Sequence, residues 1–110
     1  MSELTEPTFD RDGYPTDETL ERIATWSLET PRTTTELLAF CRRAWDQYYG
    51  SWTVDEVEGC QRHVMTTGGW SGNESVVGAM DRNTMFGLLC WWRSERGGLH
   101  EYREREVHQL

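Results

Sequence analysis

Residues 84–107, TMFGLLCWWRSERGGLHEYREREV, decide how many strands this fold has. Met85, Leu88, Leu89 and Trp92 recur at helical spacing, so the stretch reads as a helix that runs to Gly97 and Gly98, with those four side chains facing inward. Beyond the glycines, Leu99, Glu101, Arg103 and Arg105 alternate with His100, Tyr102, Glu104 and Glu106, the period of a last strand with one heavily charged face. Trp91 and Trp92 sit awkwardly in this reading. Neighbours on a helix cannot both face one core, so one of them belongs at an edge or in an interface, and a homodimer that buries one would satisfy it.

Working upstream, Val76, Val77 and Met80 open a helix that Asn83 ends as a left-handed cap. Before it, SWTVDEV and CQRHVMT alternate as strands and flank Glu58 and Gly59, a hairpin turn. TTTELLAFCRRAWDQYYG is a helix: Thr33 and Glu36 form a capping box, Leu37, Leu38, Cys41, Ala44, Trp45 and Tyr48 make one stripe, and Gly50 stops it. A shorter helix capped by Thr16 or Asp17 places Leu20, Ile23 and Ala24 on one face, ending near Trp26 to Leu28 before Pro31. Residues 1–15 form an extended acidic arm, mobile at its tip and pinned by Phe9 and Tyr14, and residues 16–110 form a single α+β domain. The order ααββααβ implies a small antiparallel sheet of about three strands with helices packed on one face.

Composition bounds the rest. A chain of 110 residues holds one core, and six Trp, four Tyr and three Phe can fill it despite a hydrophobic content of 36%. No apolar run reaches membrane-spanning length, and MSELTEPTFDRDG is acidic where a signal peptide is basic and then apolar, so the chain reads as intracellular. Cys41, Cys60 and Cys90 are an odd set without paired spacing, expected reduced and buried. Every one of the 11 basic residues is Arg. The net charge is -8, and residues 1–36 hold nine acids against three arginines. Such a cluster repels duplex DNA and attracts a basic protein surface, or it is a solvated face that aids solubility.

The stretch TTGGWSGNESVVGAM, residues 66–80, follows a strand directly and runs into a helix. Ser71 and Glu74 have the spacing of a second capping box, and Trp70 is expected to plug the corner between sheet and helix. A turn this sharp needs glycine whether or not it binds anything. A phosphate cradle lacks the Lys of a Walker loop and sets Glu74 against the anion. GWSGN has Asn73 where a nucleophile elbow needs its second Gly, and the chain is too short for that fold. A third reading makes the corner an interface, with an exposed Trp70 as anchor, Ser71 beside it, and Asn73 and Arg82 at its rim.

Other chemistry has thinner support. Cys60 and His63 match half a zinc site that His100 or Cys90 would complete, and Cys90 with His63 or His100 as base would make a small thiol enzyme. Neither is a signature, so no metal, cofactor or catalytic residue is assigned. Arg82, Arg93, Arg96, Arg103 and Arg105 interleave with Trp91, Trp92 and Tyr102 as in single-strand binders, an alternative nucleic-acid surface whose charge Glu95, Glu101, Glu104 and Glu106 nearly cancel.

Residues 66–102, with the glycine-tryptophan turn, the aromatic-rich segment and RGG before a strand, resemble small uncharacterised proteins of bacteriophages and prophages of Gram-positive and actinobacterial hosts. The resemblance implies a phage origin and the host cytoplasm, and it transfers no catalytic residue. The expectation is a small acidic, non-enzymatic binding protein that modulates a host or phage protein. Its contacts would be Asp17, Glu18 and Glu21, or the Trp70 corner, with no membrane and with nucleic acid unlikely as a partner.

Overall fold

The structure, a computed structural model, describes residues 4–105, with the Arg105 side chain outside the description. Among these described residues, four helices and four strands follow one another as α1 (Asp17–Ala24), α2 (Pro31–Ala44), β1 (Ser51–Val57), β2 (Cys60–Thr66), α3 (Ser71–Arg82), α4 (Thr84–Cys90), β3 (Trp91–Glu95) and β4 (Leu99–Arg105). The order is therefore ααββααββ, an α+β chain whose single sheet runs β1-β2-β4-β3, antiparallel throughout. Expected Glu106 and its neighbours lie outside the described residues, as do the first three residues of the arm.

The extra strand comes from the stretch that opened the sequence analysis. The helix expected to reach Gly97 stops at Cys90, and Trp91 begins β3. Gly97 and Gly98, at φ 88° and 87°, turn the chain between Glu95 and Leu99, which face each other across the pair. A three-residue hairpin loop with glycine in the left-handed region does this; the glycines close a hairpin, and do not end a helix. Between Trp91 and Arg93 the register slips by one residue, so Trp92 is a bulge. The awkward pair is resolved by leaving both tryptophans half-exposed on an edge strand. Met85, Leu88 and Leu89, expected inward, are 52%, 77% and 57% exposed, because α4 seats Phe86 and Cys90 on the sheet instead.

Period-two alternation sorts the sheet into two faces. Trp52, His63, Met65, Tyr102 and Glu104 are buried on the helix side, where Phe86 stacks on Tyr102 and Trp45 meets Trp52 edge to face. The other face carries Asp55, Arg62, Glu101, Arg103 and Arg93. There Glu101, 2% exposed, accepts from Arg93 Nε at 2.8 Å and Arg103 Nε at 2.7 Å, while the Trp92 ring covers the Arg103 guanidinium at 3.8 Å. Arg62 pairs with Asp55, and Arg93 also bridges to Glu95.

The caps differ from their expected places. α2 starts at Pro31 with a reciprocal box between Thr30 and Thr33, since proline at the first helical position gives up only an N–H that has no helical partner. It ends at Ala44, and Tyr48 stands 87% exposed beyond it. α3 has Trp70 as its cap residue with no side-chain cap, so the Ser71–Glu74 box is not made. Asn83 is not left-handed, at φ -86°; its Oδ1 accepts from Phe86 N to cap α4, and its Nδ2 donates to the carbonyls of Ile23 in the last turn of α1 and of Trp26 just beyond it.

The arm is strapped down over its described length. Thr8 and Thr19 exchange backbone and side-chain hydrogen bonds, Arg22 Nε donates to Leu4 O, and Arg43 donates to Thr5 O. No helix among the described residues is long and apolar enough to cross a membrane.

Two measurements check this account. Glu58 takes φ 52° beside Gly59 in the β1–β2 turn, a conformation that favours Asn, so Glu58→Asn should raise stability by about 0.5–1 kcal/mol in urea unfolding. Burial works to raise the Glu101 carboxyl, but the Arg103 and Arg93 hydrogen bonds outweigh it and hold the group below its ordinary value. A carboxylate lowered in the folded state adds stability that is present above its unfolded pKa and disappears as pH falls through the folded one. Stability should therefore drop in acid below the ordinary carboxylate range. Glu101→Gln should cost about 2 kcal/mol at neutral pH and flatten that drop in a pH series of urea melts.

Candidate functional site: an aromatic corner beside two helix N-termini

The β2–α3 turn is built around contacts that leave no room for side chains. Gly68 takes φ 66°, and a Cβ there would collide with the Tyr49 carbonyl; a Cβ on Gly72 would collide with the Trp70 ring. Asn73 is completely buried under the turn. Its Oδ1 accepts from Asp46 N at 2.8 Å, and its Nδ2 donates to Asp46 O at 3.1 Å and Thr67 O at 3.3 Å. It is thus a tether between the α2–β1 loop and the turn, and its expected place at a binding rim is corrected. With the Asp46 backbone held there, the Asp46 carboxylate accepts from Tyr48 N and Tyr49 N, which turns the chain out of α2.

Trp70 does not enter the core. Half-buried, it stacks on Tyr49 with ring centroids 5.2 Å apart and an interplanar angle of 14°, and it meets Tyr14 at 4.9 Å with the rings tilted by 39°. Tyr48 extends the row, edge to face with Tyr49 at 5.1 Å. Four aromatic rings, Tyr14, Trp70, Tyr49 and Tyr48, therefore run in sequence across the surface. Ser71 Oγ donates to Tyr14 Oη at 3.3 Å, and among the described residues no histidine is hydrogen-bonded to it, which leaves Ser71 without the geometry of a nucleophile there.

The acids stand beside this row. Tyr14 precedes α1 by three residues and touches the residues that open α3, while Asn83 ties the far ends of the same two helices, so α1 and α3 lie side by side and parallel. Asp17 and Glu18 in the first turn of α1, Glu21 one turn on, and Glu74 in the first turn of α3 are all exposed at or near the aromatic end. Asp17, Glu18 and Glu21 are in no ion pair among the described residues. Arg82, in the last turn of α3, sits about 16 Å from Ser71 and takes no part in the corner.

The alternative nucleic-acid set is divided. Arg93 and Arg103 are paired to Glu101 on the open face of the sheet. Tyr102 is on the helix face, its Oη donating to Asp81, and Arg96 is exposed in the β3–β4 turn. The Arg105 backbone pairs with Cys60, and its side chain lies outside the described residues.

Cys60 and His63 do not converge, because residues three apart on β2 point to opposite faces. His63 is enclosed: the Trp52 indole donates to Nδ1 at 3.0 Å, so Nδ1 is unprotonated and Nε2 faces Glu104 Oε1 at 3.1 Å, while Thr35 donates to Glu104 Oε2 at 2.8 Å. Sequence reasoning missed this chain, since nothing in the spacing of residues 35, 52, 63 and 104 ties them together. Glu104 and Cys90 reach a cavity of about 590 Å³ walled by Leu28, Pro31, Met85, Leu88 and Leu89. Burial, with a smaller push from the Glu104 charge, raises the Cys90 thiol to about 12, and burial raises Cys41 as well. Neither is a thiolate at neutral pH. No group of three or more His, Cys, Asp or Glu among the described residues is placed to hold a metal.

A thiol-disulfide reagent should accordingly label only the half-buried Cys60 rapidly in the native protein, and all three cysteines after denaturation, with the count read by mass spectrometry. Rapid native labelling of Cys90 would contradict its enclosure. No family model, no curated protein and no solved structure matches this chain.

Proposed function

We propose that the protein is a non-enzymatic binding module that grips a basic segment of a partner protein with the Tyr14–Trp70–Tyr49–Tyr48 row and the acids beside it. The row is the observation that carries this reading. Tyr48 and Tyr49 are 87% and 52% exposed, a cost in water that a folded corner has no internal need to bear. Aromatic faces attract guanidinium and ammonium groups, each such contact contributing about 0.5–2 kcal/mol, and Tyr and Trp are favoured interface anchors. Asp17, Glu18, Glu21 and Glu74 supply the matching negative field, which speeds encounter and selects against acidic partners. The net charge of -8 acts in the same direction.

The resemblance of residues 66–102 to small phage and prophage proteins supports a phage origin, a host-cell cytoplasmic setting, and a partner that is a host or phage protein whose activity is modulated by being bound. The corner needs no cofactor. Nucleic acid is disfavoured as the partner because Arg93 and Arg103 are already spent on Glu101.

The test is affinity capture from nuclease-treated host lysate with three baits: wild type, Tyr48→Ser/Tyr49→Ser, and Asp17→Arg/Glu18→Arg/Glu21→Arg. A protein retained at low salt by wild type should elute as salt is raised and be lost from both variants, with circular dichroism showing all three baits folded. Equal retention on all three baits, or retention that disappears with nuclease, would remove the proposal.

A further inference from the structure

β3 is a sheet edge with every residue exposed, and among the described residues its open side carries neither proline nor a covering helix. An uncovered edge is a template for another strand unless charge or shape blocks it. The charges on this edge are of opposite sign, two residues apart, and on the same face: Arg93 stands opposite Glu101, and Glu95 opposite Leu99. On the helix face, Met85, Leu88 and Leu89 of α4 are exposed at the mouth of the cavity that Glu104 and Cys90 reach, and Trp91 and Trp92 stand half-exposed at the start of β3. These five form the densest run of exposed apolar side chains in the described sequence, all within eight residues.

We propose that two copies of this chain join through β3, antiparallel about a two-fold axis at Ser94. The occupant follows from charge. In a self-paired antiparallel ladder whose axis is normal to the sheet, each residue faces its mirror position about the central one. Centring on Arg93 stacks arginine on arginine, and centring on Glu95 stacks glutamate on glutamate. Centring on Ser94 places Arg93 opposite the partner's Glu95 twice over, so that the Arg93–Glu95 pair made within each copy is exchanged for one across the axis, while each Arg93 keeps its own Glu101. The edge is thus complementary to itself in one register and repelled in its neighbours, which is how a strand selects a second copy and not any strand. A five-residue strand alone buries too little for a stable dimer. Met85, Leu88 and Leu89, on the helix that packs over β3 and β4, supply the remaining apolar area and account for their own exposure. The two sheets become one of eight strands, and the aromatic corners, off the β2–α3 turns, stay open.

Sedimentation equilibrium of the full chain, from low micromolar to several hundred micromolar, tests this. Wild type should approach twice 12.9 kDa. Glu95→Arg, which sets arginine against arginine across the axis, should weaken the dimer on the order of tenfold. Leu88→Glu/Leu89→Glu should leave a monomer with an unchanged circular dichroism spectrum, because both side chains are solvent-facing within one copy. Glu56→Gln, an exposed site on β1 at the opposite edge of the sheet, should not change the dissociation constant. A wild-type chain that stays at 12.9 kDa throughout overturns the proposal, as does a dimer indifferent to both Glu95→Arg and Leu88→Glu/Leu89→Glu.

Discussion

The Asn73 carboxamide holds the molecule's two halves in one arrangement. It reads both backbone groups of Asp46 and the carbonyl of Thr67, so the end of the helical hairpin and the exit of the central strand are fixed relative to each other. Everything at the aromatic corner depends on that tether. The chain leaves α2 because Asp46 is held; Tyr49 then passes close enough to Gly68 that only glycine fits, and Trp70 has a ring to stack on. A buried amide with its donors and acceptor engaged is worth far more as a constraint than the net energy of its hydrogen bonds, because any other arrangement leaves polar groups unpaired.

The sheet treats its two faces differently, and the division bears on function. On the helix side, Trp52, His63, Glu104 and Thr35 form a closed relay of donors and acceptors. On the open side, arginines are matched to Glu101 and Asp55, with Trp92 lying over Arg103. Arg62, Arg93 and Arg103 are engaged by carboxylates of this face, whereas Asp17, Glu18 and Glu21 of α1 are left to solvent.

The hairpin at Glu58 and Gly59, the inward stripe of Leu37, Leu38, Cys41, Ala44 and Trp45, and the one-faced packing of helices were all legible from periodicity, because each rests on local spacing. What failed did so for tertiary reasons. Leu88 and Leu89 fit a helical stripe, yet the face that packs is set by Phe86 stacking on Tyr102, a residue 16 positions away. The signal for β3 was present: two aromatic residues followed by a short loop with two glycines is a hairpin pattern, and apolar spacing in TMFGLLC outweighed it. At the candidate site, Trp70 and the acids of α1 were picked out from sequence, but Tyr14, Tyr48 and Tyr49 were not. Their convergence depends on the parallel packing of α1 against α3 and on the Asp46 turn, neither of which has a sequence period.

The strand order β1-β2-β4-β3 also fixes how the chain must assemble. Each outer pair is a hairpin of adjacent strands, closed by a loop of two or three residues, and such units form within microseconds. The central pairing of β2 with β4 is different in kind, since it joins residues such as Thr66 and Leu99 across the whole of α3 and α4. The entropy of closing that long segment is recovered only when Phe86, Tyr102 and Met65 come together beneath it. The seam between the hairpins is consequently the slow, cooperative step, and a chain caught before it would display two unpaired inner edges where the finished fold displays none.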